Sequence, residues 1–250
     1  MARTTNQEHR QTSIGAVLAA AEYLFVTRGY NGTTTADIGT LAGLTKGAVY
    51  FYFPDKESIL LELLSGVRQA LMVPMRARLR DNDLAPSQRI AAFLEFGGRL
   101  ATESPGSMLL PIVVSIEFAG TNSIAEQRVK AGYRKVAEEV QQVLELGQAN
   151  GDIRTDLSAE AMARALIATN DGLMLECLRN DLAIQIDKLV GTLNSIVQVG
   201  ISHKASSRKT PKIALGNETP VRVIDVLKSR LPKPRKTSAR GGARSARAGK

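Results

Sequence analysis

The sequence predicts an all-α protein, and three observations support this class. Between Gln11 and Ser202 apolar residues recur at spacings of three and four, which is the period of one face of a helix. No segment in that range alternates apolar and polar residues as a half-buried strand does. Gly, Pro and Asn residues interrupt the pattern where helices would end. The chain has 250 residues, enough to bury a sizeable core in one large domain or two modest ones.

The N-terminal region predicts one long helix followed by two short ones. Gly29 occupies the C′ position that ends the first helix. Thr34 and Asp37 have the spacing of a capping box, and Thr45 has the position of a cap for the second short helix. Gly43 breaks the chain between the two short helices. The expected spans are about Gln11–Arg28, Thr35–Ala42 and Lys46–Tyr52.

The remaining helices should form a larger bundle. Asp55 caps a long helix that runs toward Leu79 or Arg80. Pro74 should kink or divide this helix, because proline has no N–H and its ring clashes with the preceding turn. Further helices are expected at Ser87–Thr102, Met108–Ala119, Ile124–Ala149, Ala159–Asn180 and Leu182–Ser202.

The net charge of +9 is concentrated in the last fifth of the chain. Residues 203–250 hold 14 Lys and Arg against two acidic residues, whereas residues 1–202 hold 19 against 22. The basic segment cannot bury enough apolar surface to offset its ordering entropy, so we expect it to be largely disordered. Two interpretations are equally compatible with it: an arm that binds nucleic acid through its cations, or a solubilising tail without a particular partner.

The composition argues against several classes of function. Because Cys177 is the single cysteine, we expect no disulfide framework and no cysteine-rich zinc site, and the natural compartment is the reducing cytoplasm. The sequence has no nucleophile–base pair, metal-ligand spacing or glycine-rich phosphate loop, so we expect no enzyme activity, no metal and no cofactor. It has no secretory signal, and its longest uninterrupted apolar stretch is too short to span a bilayer. We therefore expect a soluble cytoplasmic protein that does not engage a membrane.

Two short helices joined by a glycine-containing turn near residue 40 form a candidate helix-turn-helix. Gly43 permits the tight turn. Four apolar side chains have the spacing that points inward and locks the two helices: Ile38, Ala42, Leu44 and Val49. The outer face keeps cationic, hydroxyl and small residues that suit a DNA groove: Thr45, Lys46, Gly47, Ala48, Tyr50 and Tyr52.

The stretch from Ala20 to Leu61 resembles the DNA-binding domain of the tetracycline-repressor (TetR) family of bacterial transcription regulators. The matching pieces occur in order with the family's spacings: Leu24-Phe25, Gly29-Tyr30, Thr33-Thr34, Asp37-Ile38, Ala42 to Gly47, Tyr50 to Phe53, and Lys56-Glu57. Gly39 departs from the pattern, because the family usually has Ala there. Glycine should cost about 0.5–1 kcal/mol of helix propensity, but it keeps the close contact between the helices.

The resemblance assigns roles by position. The segment from Lys46 to Tyr52 would be the recognition helix in the major groove, with Lys46, Gly47, Ala48 and Tyr50 nearest the bases. Contacts to phosphates would come from Thr35, Thr45, Tyr50, Tyr52 and Lys56. Thr45 and Lys56 also lie at predicted helix N-termini, where free amides and the helix dipole favour an anion. An ordinary solvated charge is the alternative for Lys56.

The cluster Tyr50-Phe51-Tyr52-Phe53 contains four of the eleven aromatic residues. We expect Phe51 and Phe53 to be core residues and both tyrosines to be exposed. Residues 10–66 carry a net charge of −1, so this domain is not a basic patch. Its affinity for DNA would then depend on a few well-placed contacts that a dimer doubles.

The resemblance to the family's regulatory domain is loose over residues 67–202. It implies an effector pocket between the long fourth helix and its neighbours, with candidate lining residues Phe93, Phe96, Met108, Phe118, Met174 and Cys177. It also implies that the last two helices pair with their copies in a four-helix dimer interface, through Met162, Ala165, Leu166, Thr169, Leu173, Leu189, Leu193, Ile196 and Gly200. Plain core of the monomer is the alternative for both sets. No charged constellation in the bundle marks an acidic, basic or metal ligand.

These inferences divide the chain into four parts: a flexible N-terminal arm at 1–9, a helix-turn-helix DNA-binding domain at 10–56, an effector-binding and dimerisation helical domain at 57–202, and a basic, largely disordered tail at 203–250. The leading hypothesis is a homodimeric transcriptional repressor. It would bind a palindromic operator on double-stranded DNA and be released by a small-molecule effector of unknown identity. The alternative is an architectural or nucleoid-associated DNA-binding protein dominated by the basic tail.

Overall fold

The computed structural model describes residues 2–179 and 185–203, with side chains from residue 7 onward. The regular secondary structure of these residues is helical, apart from one isolated β-bridge between Ile153 and Ser202. The all-α prediction is confirmed. The helices are α1 (Ala2–Arg28), α2 (Thr35–Leu41), α3 (Lys46–Tyr52), α4 (Lys56–Val67), α5 (Val73–Leu79), α6 (Pro86–Glu103), α7 (Pro105–Glu117), α8 (Ile124–Ala149), α9 (Ala159–Arg179) and α10 (Ile186–Ile201).

The short helices begin where the sequence predicts, because their caps form. Thr34 Oγ1 accepts a hydrogen bond from the Asp37 N–H at 3.1 Å, and the Asp37 carboxylate accepts one from the Thr34 N–H at 2.9 Å. Thr45 Oγ1 accepts from the Ala48 N–H at 3.1 Å, and the Asp55 carboxylate caps α4. These bonds supply partners for N–H groups that the start of a helix leaves free.

The first helix is longer than predicted. The apolar pattern places its start near Gln11 and a flexible arm at residues 1–9, whereas α1 begins at Ala2. The side chains from Gln7 to Thr12 are exposed, so these turns leave no apolar signal in the sequence. No glycine or proline lies between Ala2 and Ser13. The packed part of the helix therefore extends its hydrogen bonding into an exposed segment at little cost.

The long helix predicted after Asp55 is divided close to Pro74. A π-helical turn at Arg68–Met72 joins α4 to α5, which carries Pro74 in its first turn. Here the Val73 N–H donates to the carbonyl of Arg68, five residues earlier. Because Pro74 lacks an N–H and its ring crowds the preceding turn, a locally wider turn accommodates it without ending the helical run.

The run from Lys56 to Leu79 is the one segment of the described chain that is long and apolar enough to cross a membrane by length and composition. In this structure it is a core helix, because α4 packs against α1, α7 and α8 and α5 packs against α6 and α8. Its fully buried residues include Ile59, Leu60 and Leu79.

The other helices complete one bundle. α8 packs along α9, and α10 packs along α6. The loop before α9 also joins the end of α10, because the Arg154 N–H donates to the Ile201 carbonyl at 2.9 Å. The predicted disordered tail lies outside the described residues from position 204 onward, as do residues 180–184.

Candidate DNA-binding interface and bundle cavity

The helices α2 and α3 are held together across a short turn. Ile38 on α2 and Val49 on α3 are fully buried, and Gly43 turns the chain with a φ of +68°. Gly39 lies so close to α3 that a Cβ there would be 3.1 Å from the Leu44 carbonyl oxygen and 3.3 Å from Val49 Cγ2. The departure at Gly39 therefore coincides with a close approach of the two helices.

The outer face of α3 is open to solvent. Lys46, Gly47 and Tyr50 are exposed, and Ala48 and Tyr52 are half-buried. Lys46 Nζ lies 5.8 Å from the centre of the Tyr50 ring, so the cation and the ring share one side of the helix. This face offers a cation, an aromatic ring and an unobstructed backbone at Gly47, which suit the edges of base pairs.

The predicted division of the aromatic cluster is wrong for two of its four rings. Phe51, expected in the core, is 79 % exposed, and Tyr52, expected in solvent, is half-buried against the core. Phe53 is buried and Tyr50 is exposed, as predicted. The reason is the helical period of α3. Val49 and Phe53 are one turn apart on the buried side, so Phe51 between them points away from the core.

The predicted phosphate contacts at the helix starts differ in exposure. Thr45 is exposed at the N-terminus of α3, where its hydroxyl caps the helix. Thr35 is the first residue of α2 but is only 9 % exposed. A contact from Thr35 to a phosphate would therefore have to come mainly from its backbone N–H.

Lys56 is tied to the loop between α1 and α2. Its Nζ donates to the carbonyls of Tyr30 and Thr33, both at 2.7 Å, and lies 4.1 Å from the centre of the Tyr30 ring. Burial lowers the pKa of Lys56, and the nearby Glu117 carboxylate partly opposes that shift. Lys56 is therefore not an ordinary solvated charge, which was the alternative for it. Two of its three ammonium N–H groups are used within the domain, and its contact to a phosphate stays a prediction.

The bundle contains a small, largely apolar cavity of about 30 Å³ among α5, α6, α7, α8 and α9. Two of the six predicted pocket residues, Phe93 and Met108, line it. The other four lie elsewhere in or against the core: Phe96, Phe118, Met174 and Cys177. The alternative of plain core describes these four in the structure.

Sequence reasoning missed the polar side of this cavity. The Tyr133 hydroxyl donates to Asp171 Oδ1 at 3.0 Å, and both residues line the cavity together with Asn170. Burial raises the pKa of Tyr133 and that of Asp171. Tyr133 belongs to α8 and Asp171 to α9, so no local motif could have marked the pair.

Two segments of the chain match sequence models of one protein family. Residues 17–63 match bacterial regulatory proteins of the tetR family, and residues 110–188 match the tetracyclin repressor-like C-terminal domain. The MbdR regulator from Azoarcus sp. CIB, known from a crystal structure, shares 32 % sequence identity with this chain. The two structures have a TM-score of 0.70, and the match covers 76 % of this chain and 98 % of MbdR. The chain belongs to the TetR family.

Further relatives agree with this assignment. The HTH-type transcriptional repressor BepR from Brucella suis biovar 1 is 29 % identical over 200 residues, which cover 76 % of this chain and 94 % of BepR. The structure of AibR in complex with isovaleryl coenzyme A and operator DNA shares the fold, with a TM-score of 0.61 and 19 % identity over 74 % of this chain and 97 % of that one. This TetR-family chain is a DNA-binding transcriptional regulator.

In this family member, α7 is joined at both ends to α1 and the turn that follows it. The Glu117 carboxylate, at the end of α7, accepts hydrogen bonds from the N–H groups of Tyr30 and Asn31, both at 2.9 Å. Near the start of α7, the Ser107 hydroxyl donates to Glu22 on α1 at 3.2 Å. A displacement of α7 would therefore also move α1, the helix that leads into the helix-turn-helix.

The residues predicted for the dimer interface fall into two groups. Met162, Leu166 and Leu173 are 5–7 % exposed in the single chain, so they form its own core, as the alternative for this set proposed. They are covered because α9 packs against α6, α7 and α8 within the single chain. The other six keep accessible surface: Ala165, Thr169, Leu189, Leu193, Ile196 and Gly200.

Proposed function

We propose that this protein is a homodimeric transcriptional repressor that binds a palindromic operator through α3 and leaves it when a small-molecule effector binds the bundle. The observation that carries the proposal is the exposed face of α3, held against α2 by the buried pair Ile38 and Val49. The relatives are regulators, which supports a role without catalysis. Such a protein would act in the cytoplasm, where bacterial DNA lies.

In this proposal α3 lies in the major groove. Lys46 and Tyr50 meet base edges, with Gly47 and Ala48 allowing the backbone to approach. The exposed ring of Phe51 adds an apolar surface of the kind that contacts a thymine methyl group. Contacts to phosphates from Thr45 and Tyr52, and from the backbone at Thr35, set the register on the duplex without reading sequence: their role is positioning. Lys56 holds the loop between α1 and α2 through two N–H groups, and its third N–H remains available for a phosphate.

A second copy of the chain is needed for tight binding. Residues 10–66 carry a net charge of −1, so one domain gains little from the phosphate backbone. The exposed side chains of α10 include the apolar residues Ile196 and Val199, which a partner would cover. A two-fold interface there would present two α3 helices to two half-sites, and a palindrome has the same symmetry.

The effector would act through α7. Pro111, near the middle of α7, lines the bundle cavity, and Glu117, at its end, holds the turn after α1. A ligand that widens the cavity pushes Pro111 and moves Glu117, and α1 carries this movement to α2 and α3. If the ligand binds this displaced conformer better, the population shifts toward a spacing of recognition helices that no longer fits the operator.

The proposed domain division keeps the DNA-binding domain at 10–56 and the effector-binding and dimerisation domain at 57–202. The tail at 203–250 would raise non-specific affinity and assist the search along DNA. Its charge, 14 basic against two acidic residues, is also the one observation that favours the architectural alternative.

Selection of bound DNA from a random pool tests the proposal. The full-length protein and a variant without residues 212–250 are used in parallel. Both should select the same palindrome, and the truncated variant should show a shallower dependence of affinity on salt. If the full-length protein selects no palindrome and the truncation abolishes binding, the architectural function replaces the repressor.

A further inference from the structure

A cleft of about 430 Å³ lies between α4, the π-helical turn, α5 and α8. Four cations line it: Arg68 and Arg76 on one side, and Arg128 and Lys135 from α8 on the other. No acidic residue is among the described residues that line it. The expectation that the bundle holds no charged constellation is therefore wrong, because cations from distant segments meet only in the fold.

Three of these four cations lack an acidic partner among the residues that the structure describes. Arg76 pairs with Glu139, whose Oε1 lies 2.6 Å from Arg76 Nη2. Arg128 donates to a backbone carbonyl of α4 at 3.2 Å, which leaves its charge uncompensated. The side chains of Arg68 and Lys135 make no hydrogen bond or ion pair with any residue that the structure describes. The mouth of the cleft therefore carries positive charge that a ligand could neutralise.

The floor of the cleft is apolar. Val67 and Val129 are buried in it, and Met72 and Pro111 line both the cleft and the small bundle cavity. These two side chains therefore separate the open cleft from the interior. The Met72 side chain is unbranched and flexible, so an apolar group of a ligand can displace it.

We infer that this cleft binds an amphipathic organic anion, with its acidic group at Arg68, Arg128 and Lys135 and its apolar body against Met72 and Pro111. A neutral molecule would leave the three charges uncompensated, and a cation would be repelled by them. A small inorganic anion would leave the apolar floor uncovered. The volume is within the range of pockets that hold small organic ligands.

This inference rests on the proposed function, because it names the chemical class of the effector. The body of the anion would press Met72 and Pro111 apart and open the way to the bundle cavity. Pro111 belongs to α7, so the same contact that binds the ligand starts the displacement that releases DNA. The π-helical turn carries both Arg68 and Met72, and it therefore responds to the head and the body of the ligand together.

The test uses two fluorescent probes with the full-length protein. Anilinonaphthalene sulfonate is an amphipathic anion, and phenylnaphthylamine shares its rings but has no charge. The double variant Arg68→Gln/Arg128→Gln should weaken binding of the anion at least about tenfold and change that of the neutral probe less than about twofold. Arg134→Gln, exposed on α8 but outside the cleft, is the matched control and should change neither. Equal weakening of both probes, or unchanged binding of the anion, would overturn the inference.

A second variant separates the cleft from other apolar surfaces that bind such dyes. A Cβ at Gly132 would lie 3.7 Å from Met72 Cε, so Gly132→Phe should fill the cleft without displacing the backbone. It should remove the same anion signal that depends on the arginines, with the helix content checked by circular dichroism. Persistence of that signal in a folded Gly132→Phe protein would place the site elsewhere and contradict the inference.

Competition identifies the acidic group. Decanoate and decyl phosphate should displace the anionic probe, and the stronger of the two shows whether a carboxylate or a phosphate is preferred. Decanol of the same chain length should displace it far less. Displacement by decanol as strong as by decanoate would show an apolar site without anion recognition, and the inference would fail.

The outcome for DNA is independent of these measurements. If the arginines bind the anion but the anion leaves operator affinity unchanged, the anion site stands and effector release through it is wrong. If the protein binds its palindrome but the anion does not depend on the arginines, the repressor stands and this inference is wrong.

Discussion

The helix-turn-helix and the cationic cleft are built in opposite ways. The first is a product of neighbouring residues: its caps, its turn and its buried pair all lie between Thr34 and Phe53. The second joins Arg68 on the π-helical turn to Arg128 and Lys135 on α8, which are far apart in the chain. A functional site formed by neighbouring residues is recognisable from sequence, whereas a site formed by tertiary packing of distant residues is not.

The two regions also use charge differently. The helix-turn-helix is nearly neutral overall, so its specificity would come from the placement of Lys46 and Tyr50 and from symmetry. The cleft instead concentrates uncompensated cations beside an apolar floor. Substitutions that remove packing should therefore affect the first region most, and substitutions that remove charge should affect the second.

The largest expected effect breaks the local packing of the helix-turn-helix. Ile38→Ala removes a fully buried side chain and should lower the free energy of unfolding by about 2–4 kcal/mol. Leu41→Ala on the same helix, where the side chain is exposed, should change it by less than about 0.5 kcal/mol. Urea denaturation of both variants measures the difference. Similar losses would mean that α2 is not anchored through Ile38.

The same local chemistry explains which helices the sequence predicts well. The span of α3 agrees at both ends because Thr45 caps its start and Pro54 follows soon after its end. The span of α8 also agrees at both ends, with Ser123 as its cap. The start of α1 was wrong because an exposed helical turn without Gly or Pro has no apolar period to mark it.

The sequence does not predict features that depend on the direction of a side chain or on contacts between residues far apart in the chain. Phe51 is exposed although it belongs to an aromatic cluster, because a helix turns by about 100° per residue and the buried side of α3 is set by Val49 and Phe53. Lys56 is tied to the carbonyls of Tyr30 and Thr33, and a sequence does not show that these two carbonyls converge on it. Tyr133 and Asp171 meet only because α8 and α9 pack together.

Truncation of the recognition face should have the next largest effect. Lys46→Ala and Tyr50→Ala should each weaken specific operator binding by about 1–3 kcal/mol, because each removes a contact to a base edge. Neither should change the thermal midpoint of unfolding, since both side chains are exposed. A mobility shift at fixed salt measures the loss, with the exposed Arg134→Ala on α8 as the control. Wild-type affinity in both variants would exclude α3 as the recognition helix.

Glu117→Gln tests the link between the two regions. The carboxylate accepts from two backbone N–H groups, and replacing one oxygen by an amide should cost about 1–2 kcal/mol of stability. It should also reduce the effect of the anionic probe on operator affinity. Glu103→Gln removes an exposed pair with Arg99 and should cost less than about 0.5 kcal/mol, without changing the coupling. Full coupling in Glu117→Gln would mean that α7 does not act through this contact.

Acid should weaken the start of α8. Lys130, followed by the backbone N–H groups of Gly120 and Asn122, holds the pKa of Glu126 down to about 2, below its ordinary 4.5. Glu126 therefore contributes its full stability above about pH 4.5 and loses it as the pH falls through about 2. In Glu126→Gln the midpoint of thermal unfolding should fall less steeply as the pH is lowered toward about 2. The exposed Glu138→Gln on the same helix should leave this acid dependence as in the wild type. If the midpoint of Glu126→Gln depends on pH as the wild type does, other groups cause the acid sensitivity.

The smallest expected effect separates stability from DNA binding within α3. A Cβ at Gly47 would meet only Thr45 Oγ1, at 4.0 Å, so Gly47→Ala should stabilise the helix by about 0.5–1 kcal/mol. The added methyl group lies on the face that approaches DNA, so operator affinity should fall while stability rises. Gly15→Ala on α1, where nothing lies within 4 Å, should give a similar gain in stability with no loss of affinity. If Gly47→Ala gains stability and keeps its affinity, the backbone at Gly47 does not enter the groove, and recognition by α3 depends on its long side chains alone.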